Sequence, residues 1–263
     1  MLTEQIFQHY KAEERRFIER CLDWISRVEE TYSVITTPFL NPREAEILSA
    51  LSNRRALCLY SSRSLAETET VKIIMAPEFY VLDPDDFDLA LLEVTYASKF
   101  IQLTHAQVLG TFLGQTGIKR QELGDIIVTE EKIQVFVSKH LVELFKAIEK
   151  IGRAAVKIKE ISLAELAKPT DRAVSEVVLV DNLRLDKLIA VAFKISRNLA
   201  SNMLESNKVK INYLEIDKKD FSVSTDDLIS VRGYGRFKVG PVLGQTKKGK
   251  QRVELEITKN NKK

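Results

Sequence analysis

Cysteines and long apolar runs are scarce in this chain of 263 residues, and each scarcity excludes a class of protein. The two cysteines, Cys21 and Cys58, lie far apart and belong to no Cys-x-x-Cys or His-x-x-x-His motif, so neither a disulfide framework nor a zinc site is expected. No run approaches the roughly 18 apolar residues of a membrane span, and Met1–Gln5 lacks the basic start of a secretory signal. We therefore expect a cytoplasmic protein with no membrane insertion, metal or cofactor.

Motifs for catalysis are also missing. The three histidines, His9, His105 and His140, have no nearby nucleophile or second ligand at a useful spacing, and there is no Walker loop. The aspartate-rich run 83–88 lacks the glycine and the terminal glutamate of a calcium loop. The sequence therefore predicts that the protein is not an enzyme.

Charge is distributed unevenly along the chain. Residues 1–180 hold 22 basic and 27 acidic side chains, a net charge of −5, whereas residues 181–263 hold 18 and 10, a net charge of +8. A basic C-terminal third points to a polyanionic partner. We interpret residues 246–263 as a basic tail; the alternative is that its lysines only keep the protein soluble.

The pattern of apolar residues predicts an α+β, multi-domain protein. Residues 1–80 are predicted to form a small α+β domain, with amphipathic helices up to about Thr31 and a helix capped by Asn41. Strands are predicted at Ala56–Tyr60 and Val71–Met75, before a boundary at Pro77–Pro84.

Residues 81–165 are predicted to form a ferredoxin-like βαββαβ domain, similar to RNA-recognition modules. The predicted elements are the strand Leu89–Tyr96, a helix capped by Thr104, a hairpin of Asp125–Thr129 and Lys132–Val137, the helix Ser138–Ile151 and the strand Ala154–Ile161. This order also hosts many unrelated functions. Only one aromatic residue, Phe136, lies on the strand where recognition modules carry two, and we expect it to pack in the core.

Two short helices and a strand are predicted between Arg184 and Asn212. Apolar residues recur at helical spacing in both helices, Ser196 is placed to cap the second, and Asn207 to end it. The remaining positions carry polar side chains that we expect to form one RNA-binding surface, namely Arg184, Lys187, Ser196, Arg197, Asn198, Asn202, Lys208, Lys210 and Asn212. Arg184 and Arg197 are expected to face solvent, and Ser196 with Arg197 to form a phosphate site. The alternative is an ordinary helical hairpin with solvated charges.

The same stretch closely resembles the S-four domain, a small RNA-binding domain named after ribosomal small-subunit protein four. The resemblance rests on Arg-Leu-Asp from Arg184, Ser196-Arg197, Met203-Leu204 and the strand ending at Asn212. Three family glycines are replaced, by Asn207, Tyr213 and Asp226. This resemblance implies an S-four RNA-binding domain over residues 181–245.

A second resemblance spans nearly the whole chain. Thr104-His105-Ala106-Gln107-Val108-Leu109-Gly110, Gly117-Ile118-Lys119-Arg120 and Gly124-Asp125-Ile126 look like the middle-domain signature of the bacterial YlmH family, although Ala106-Gln107 replaces its usual Arg-Asp. Lys119 and Arg120 are the middle-domain candidates for RNA contact, with a solvated turn as the alternative. Resemblance to YlmH implies that the partners are rRNA and tRNA on the large ribosomal subunit, and that the role is rescue or quality control of stalled translation. We also expect the free protein to be a monomer.

Two other functions are alternatives to this interpretation. Arg184-Leu185-Asp186 also matches the loop that carries the catalytic aspartate of pseudouridine synthases, but only 77 residues follow Asp186, too few for their β-rich catalytic domain. A cell-division adaptor, docking through the mixed-charge N-terminal helix, is the second alternative.

Overall fold

The structure, a computed structural model, describes residues 7–8, 10–53, 55–167 and 173–259. It divides into two compact units, Met1–Thr170 and Asp171–Lys263. The α-helices of the described residues are α1 (Arg15–Thr31), α2 (Pro42–Ser52), α3 (His105–Thr116), α4 (Val142–Lys146), α5 (Leu185–Phe193) and α6 (Arg197–Glu205). Their strands are β1 (Ile35–Thr36), β2 (Cys58–Ser61), β3 (Ile73–Ala76), β4 (Leu89–Tyr96), β5 (Leu123–Val128), β6 (Lys132–Ser138), β7 (Lys150–Ile151), β8 (Ala154–Ile161), β9 (Val174–Val180), β10 (Val209–Ile211), β11 (Leu214–Glu215), β12 (Leu228–Val231), β13 (Gly235–Gln245) and β14 (Gln251–Lys259).

The first unit begins with two helices and a three-stranded sheet of order β1-β3-β2. One face of α1 is buried because apolar residues recur every three or four positions, at Phe17, Ile18, Cys21, Ile25 and Val28. Asn41 caps α2 as predicted: its side chain accepts from the Glu44 amide at 3.0 Å, and the Glu44 carboxylate accepts from the Asn41 amide at 2.9 Å. The two predicted strands exist with bounds shifted by one or two residues. Residues 3–6 and 9 of the predicted N-terminal helices lie outside the described residues.

The rest of the first unit is built on an antiparallel sheet of order β5-β6-β4-β8-β7. Its elements follow the predicted β-α-β-β-α-β order, with the short strand β7 added before β8. Alternate residues of the central strands point at α3 and α4, where Phe112 and Phe145 stack with ring centroids 4.9 Å apart.

The predicted helix Ser138–Ile151 was wrong over most of its length. Lys139–Leu141 is a 3₁₀ turn, because the Lys139 and His140 amides donate to Asp88 at 2.9 and 3.0 Å. Only Val142–Lys146 is α-helical, and Lys150–Ile151 turns back in a hairpin around Gly152, which has a φ of +58°. The apolar spacing is therefore compatible with a helix, but tertiary hydrogen bonds at one end and a glycine turn at the other decide the structure.

The two halves of the first unit are fixed together by buried contacts. Phe39 packs against Phe136 in a shared apolar cluster. Asp125 in β5 accepts from the backbone amides of Glu69 and Thr70 at 2.6 and 3.0 Å. The buried ammonium of Lys72 donates to the Asp88 carboxylate at 2.8 Å. A buried ion pair of this kind needs its partner in place, which makes the relative position of the halves specific.

The second unit is a six-stranded antiparallel sheet of order β11-β10-β12-β13-β14-β9, whose core is shared with α5 and α6. Both helices were predicted. Leu185, Leu188 and Ile189 of α5, and Ala200 and Leu204 of α6, are fully buried in this core.

The prediction of a basic tail over 246–263 was wrong for Gln251–Lys259. This segment is β14, paired on both sides, with β13 and with β9. Its apolar residues Val253, Leu255 and Ile257 alternate with charged ones and are buried in the core, so this is an inner strand of the sheet. The same sheet also extends the predicted 181–245 domain on its N-terminal side by β9. Residues 260–263 of the predicted tail lie outside the described residues.

The packing between the two halves of the first unit predicts a strong effect at Gly124. A methyl group there would lie 2.6 Å from Phe39 Cε1 and 2.9 Å from Phe136 Cβ. We expect Gly124→Ala to lower the free energy of unfolding by about 1–3 kcal/mol, the usual cost of overpacking.

The matched control is Gly110→Ala in α3, where no atom lies within 4 Å of the added carbon. It should stabilise the helix by up to about 1 kcal/mol. Urea denaturation of both variants measures the difference, and equal stabilities would contradict the described packing.

Candidate nucleic-acid interface

A buried carboxylate, that of Asp186, organises the predicted RNA-binding surface. Asp186 lies in the first turn of α5 and is 2% exposed. Arg184 donates through Nε to Oδ1 at 3.2 Å and through Nη2 to Oδ2 at 3.3 Å, and Arg197 Nε donates to Oδ2 at 2.8 Å. The backbone amide of Lys187 adds a hydrogen bond to Oδ1 at 3.0 Å. Guanidinium groups from the starts of two helices are thus held at one carboxylate.

The electrostatics of this cluster favour a charged Asp186. Burial raises the pKa of its carboxyl, but the hydrogen bonds from Arg184 and Arg197 outweigh burial and hold the pKa below its ordinary value. The same hydrogen bond raises the pKa of Arg184. At neutral pH two guanidinium groups therefore share one buried carboxylate, and Asp220 is a further acidic group that acts on Arg184.

Arg184 and Arg197 are consequently not the freely solvated side chains that the sequence predicted. About a third of the Arg184 side chain and half of that of Arg197 remain exposed, at 35% and 52%. The buried portions neutralise Asp186, and the exposed portions can still meet a phosphate.

The N-terminus of α6 lies directly beside these guanidinium groups. As predicted, Ser196 caps it, its hydroxyl accepting from the Leu199 amide at 3.2 Å. Asn198 and, one turn later, Asn202 are exposed on the helix. Backbone amides at a helix start, a helix dipole and an adjacent arginine are the features that bind phosphate. We call Arg184, Ser196, Arg197 and Asn198 the helix-start patch.

The other predicted cations of this unit lie elsewhere. Val209 and Ile211 point into the core, so Lys210 between them points to the opposite face of the sheet, where it pairs with Glu215 at 3.6 Å. Lys208 lies beyond the C-terminal end of α6, which is nine residues, or about 13 Å, long. Lys187 is directed to Asp181 at 3.3 Å. The prediction that helices and strand present one continuous basic surface was therefore wrong.

Sequence reasoning missed Arg232. Its amide donates to the Lys208 carbonyl at 2.8 Å, and both side chains are exposed, so two cations lie at the same end of the neighbouring strands β10 and β12. Lys208 and Arg232 are neighbours because Val209 pairs with Val231. The sequence can predict this only if the register between β10 and β12 is already known.

Asn212 has a structural role in place of the predicted RNA contact. Its Nδ2 donates to Asp227 at 2.8 Å, and its Oδ1 accepts from the Leu228 amide at 2.9 Å, so both ends of the side chain are occupied. Asn212 and Tyr213 have φ angles of +47° and +71° and form the two-residue turn between β10 and β11. Asn207 and Asp226, the other two positions where the S-four resemblance has glycine, likewise have positive φ, at +52° and +71°. The turns thus keep a glycine-like backbone without glycine.

In the first unit, the two middle-domain candidates differ. Both side chains are exposed, but the guanidinium of Arg120 also donates to the Leu123 carbonyl, and desolvation lowers its pKa despite the opposing effect of Asp125. Arg120 therefore serves mainly to hold its own turn.

The open sheet face that recognition modules use for RNA is covered here by the chain itself. Gln134, at the centre of β6, is fully buried. Its side-chain Nε2 donates to the Glu165 carbonyl at 2.9 Å, and its Oε1 accepts from the Ala167 amide at 2.7 Å. Phe136 is buried against Phe39, as expected of a core residue. Bases cannot stack on this face of the sheet without displacing Phe39 and the residues from Glu165 to Ala167.

Among the described residues, no three His, Cys, Asp or Glu side chains cluster to hold a metal ion. The helices in the described ranges are all too short or too polar to cross a membrane.

Comparison with known proteins gives the same family at both ends of the first unit. The family model "YlmH, N-terminal" matches residues 13–80, and "Putative RNA-binding domain in YlmH" matches residues 83–165. The chain is 34% identical over 255 residues to "Ribosome-associated protein quality control protein P2" of Bacillus subtilis (strain 168), covering 97% of this chain and 99% of that protein.

The chain belongs to the YlmH family. A solved structure, "Cell division protein ylmH from Streptococcus pneumoniae", is 35% identical and superposes with a TM-score of 0.55 over 61% of this chain and 98% of its own. The YlmH resemblance read from the sequence is therefore confirmed.

The Asp186 cluster predicts a strong coupling of charges in this YlmH-family chain. Replacing both Arg184 and Arg197 with alanine leaves a buried carboxylate without cations, and we expect the free energy of unfolding to fall, though by less than for a fully buried pair because the arginines are partly exposed.

Adding Asp186→Asn to this double variant should recover much of the loss, because the uncompensated charge disappears. Urea denaturation of the double and triple variants provides the measurement. If the triple variant is no more stable than the double, Asp186 is not the cause of the loss.

Proposed function

We propose that this YlmH-family chain is a non-catalytic, ribosome-associated RNA-binding factor whose second unit is an S-four-type RNA-binding domain. Its ligands are structured rRNA and tRNA on the large ribosomal subunit, and its role is the rescue or quality control of stalled translation. We further propose that it acts in the cytoplasm and is a monomer when free. The helix-start patch is the observation that carries this proposal.

The geometry of the patch suits a phosphate group in a fixed position. Arg184 and Arg197 are oriented by Asp186 before any ligand arrives, so little side-chain entropy remains to be lost on binding. Arginine forks and helix-start amides both recognise phosphate oxygens. A rigid arrangement of such groups favours RNA with a defined backbone shape, which is the property of folded rRNA and tRNA.

The names of relatives support the ribosomal part of the proposal. The Bacillus subtilis protein is named for ribosome-associated quality control, and the family model covering residues 83–165 is described as a putative RNA-binding domain. Because the sheet face of that domain is internally covered, we assign the principal RNA contact to the second unit and a lesser one to Lys119.

The surroundings of Asp186 favour a non-enzymatic role. Its two oxygens already accept hydrogen bonds from Arg184, Arg197 and the Lys187 amide, and it is 2% exposed. A catalytic carboxylate must instead reach the substrate. We therefore treat the likeness to the pseudouridine synthase loop as a likeness of sequence only.

A negative charge at Asn198 tests the RNA-binding site without disturbing the fold. Asp at this position in the first turn is favourable for the helix, so Asn198→Asp should be as stable as the parent. It also opposes a phosphate bound at the helix start, so we expect affinity for large ribosomal subunits to fall at least about tenfold, equivalent to about 1.4 kcal/mol.

The matched control is Ser49→Asp, the same charge change on an exposed position of α2 in the first unit. Sedimentation binding at several salt concentrations measures both variants. Equal affinities for Asn198→Asp and the parent would place the RNA site elsewhere.

A separate prediction concerns the enzyme alternative. Asp186→Asn should leave every pseudouridine of cellular RNA in place, provided that immunoblotting shows the variant accumulates. Loss of one modification in both a deletion strain and the Asn variant, restored by the parent chain, would establish synthase activity.

The cell-division adaptor is a second candidate, because the pneumococcal structure is titled a cell division protein. It requires a protein partner that does not depend on the ribosome. Ribonuclease treatment before sedimentation distinguishes the two functions. A ribosome-bound factor shifts to the top of the gradient after the treatment, whereas the sedimentation of a protein-bound adaptor is unchanged.

A further inference from the structure

A group of large apolar side chains is exposed on the N-terminal half of the first unit and takes no part in the RNA interface. Tyr32, Val34, Phe79 and Val81 are 66%, 43%, 73% and 85% exposed. We call these four residues the aromatic patch. Exposed apolar groups that cluster, as opposed to single ones, are characteristic of interaction sites.

Tyr32 and Phe79 lie on one surface, and Val34 and Val81 are close to them along the chain. The rings of Tyr32 and Phe79 are in contact, with centroids 6.0 Å apart. In the sheet, Ile35 pairs with Met75, so Val34 and Tyr32, just before β1, run alongside the residues that follow β3. Val81 lies two residues beyond Phe79 on this same segment.

The backbone under the patch is fixed. Tyr32 ends α1 in the left-handed conformation, at φ +54°, and its amide donates to the Val28 carbonyl at 3.0 Å. The turn that carries Phe79 is closed by the Tyr80 amide, which donates to the Pro77 carbonyl at 3.0 Å. The hydroxyl of Tyr80 is in turn bonded to Asp86. Rings on such supports lose little entropy when a ligand covers them.

The charge around the patch is negative. No lysine or arginine occurs between residues 73 and 98, whereas Glu78, Asp83, Asp85 and Asp86 are all exposed. Asp85 pairs with Lys139 at 3.1 Å, which neutralises one of the four. An acidic surface repels nucleic-acid phosphates and attracts cations. The patch therefore does not suit RNA, although the second unit of the same chain does.

We propose that the aromatic patch docks a partner protein through a cationic segment with an apolar side chain, which packs against Phe79 and Tyr32 while its lysines or arginines meet Glu78 and Asp83. Aromatic anchors with a charged rim are the usual composition of such interfaces. This surface lies outside the proposed RNA site, so the two proposals stand or fall separately.

The partner segment can be identified by photo-crosslinking with the full chain in its host cells. p-Benzoylphenylalanine is placed at Val81, and at Phe100 as the control, because Phe100 is 88% exposed and lies outside the patch. Mass spectrometry of the adducts maps the crosslinked peptide. We expect a protein adduct from Val81 alone, in a segment rich in lysine or arginine.

The mapped segment is then synthesised and its affinity measured by fluorescence anisotropy. Phe79→Ser, Val81→Ser and the charge reversal Glu78→Lys should each weaken binding at least tenfold, whereas Phe100→Ser should not change it. All four positions are exposed, so thermal midpoints should stay close to that of the parent, and ribosome binding through the helix-start patch should be unaffected.

The proposal is overturned by an adduct on RNA, by an adduct on a second copy of this chain, or by no adduct specific to Val81. A mapped segment without basic residues, or one whose synthetic peptide binds Phe79→Ser as tightly as the parent, overturns it equally.

Discussion

The burial of one carboxylate constrains the second unit of this protein. Asp186 is enclosed at the start of α5, where an isolated negative charge would be costly. Arg184 and Arg197 compensate it from the starts of two successive helices. The same two guanidinium groups reach the surface. Compensation of the Asp186 charge therefore stabilises the fold and also fixes the position of the surface cations. Stability and the proposed phosphate recognition therefore depend on the same three side chains.

The first unit uses its sheets differently. The face of β4 and β6 that could have bound bases is covered by Phe39 and by residues 163–167. Gly124 permits the close approach of Phe39, and Asp125 and Asp88 bind the neighbouring half by hydrogen bonds. This unit consequently offers its outer surfaces for binding, among them the acidic aromatic patch, while basic groups concentrate in the second unit. The division of charge between the two parts of the sequence follows the division of roles that we propose.

Local patterns in the sequence predict local structure well here. The Asn41 and Ser196 caps and strands such as Leu89–Tyr96 and Ala154–Ile161 follow from short-range rules, and the structure confirms them. Asn207 has positive φ, as expected of a residue that replaces a helix-terminating glycine.

Predictions failed where distant partners decide the outcome. The helix at Ser138–Ile151 is cut short by hydrogen bonds to Asp88, some 50 residues earlier. The alternation of Val253, Leu255 and Ile257 is a readable strand signal, but the adjacent lysine cluster led to a tail being predicted. Nothing in the local sequence indicates that Arg184 and Arg197 share one carboxylate, or that Lys210 points away from the helices. The sequence motifs identified the protein family, but they did not predict these side-chain positions.

The most direct test is an electron cryo-microscopy structure of the full chain bound to large ribosomal subunits. Our account predicts phosphate oxygens within hydrogen-bonding distance of Arg184, Arg197 and the first amides of α6, with both guanidinium groups still in contact with Asp186. RNA density on another surface of the second unit, or arginines that leave Asp186 on binding, would contradict it.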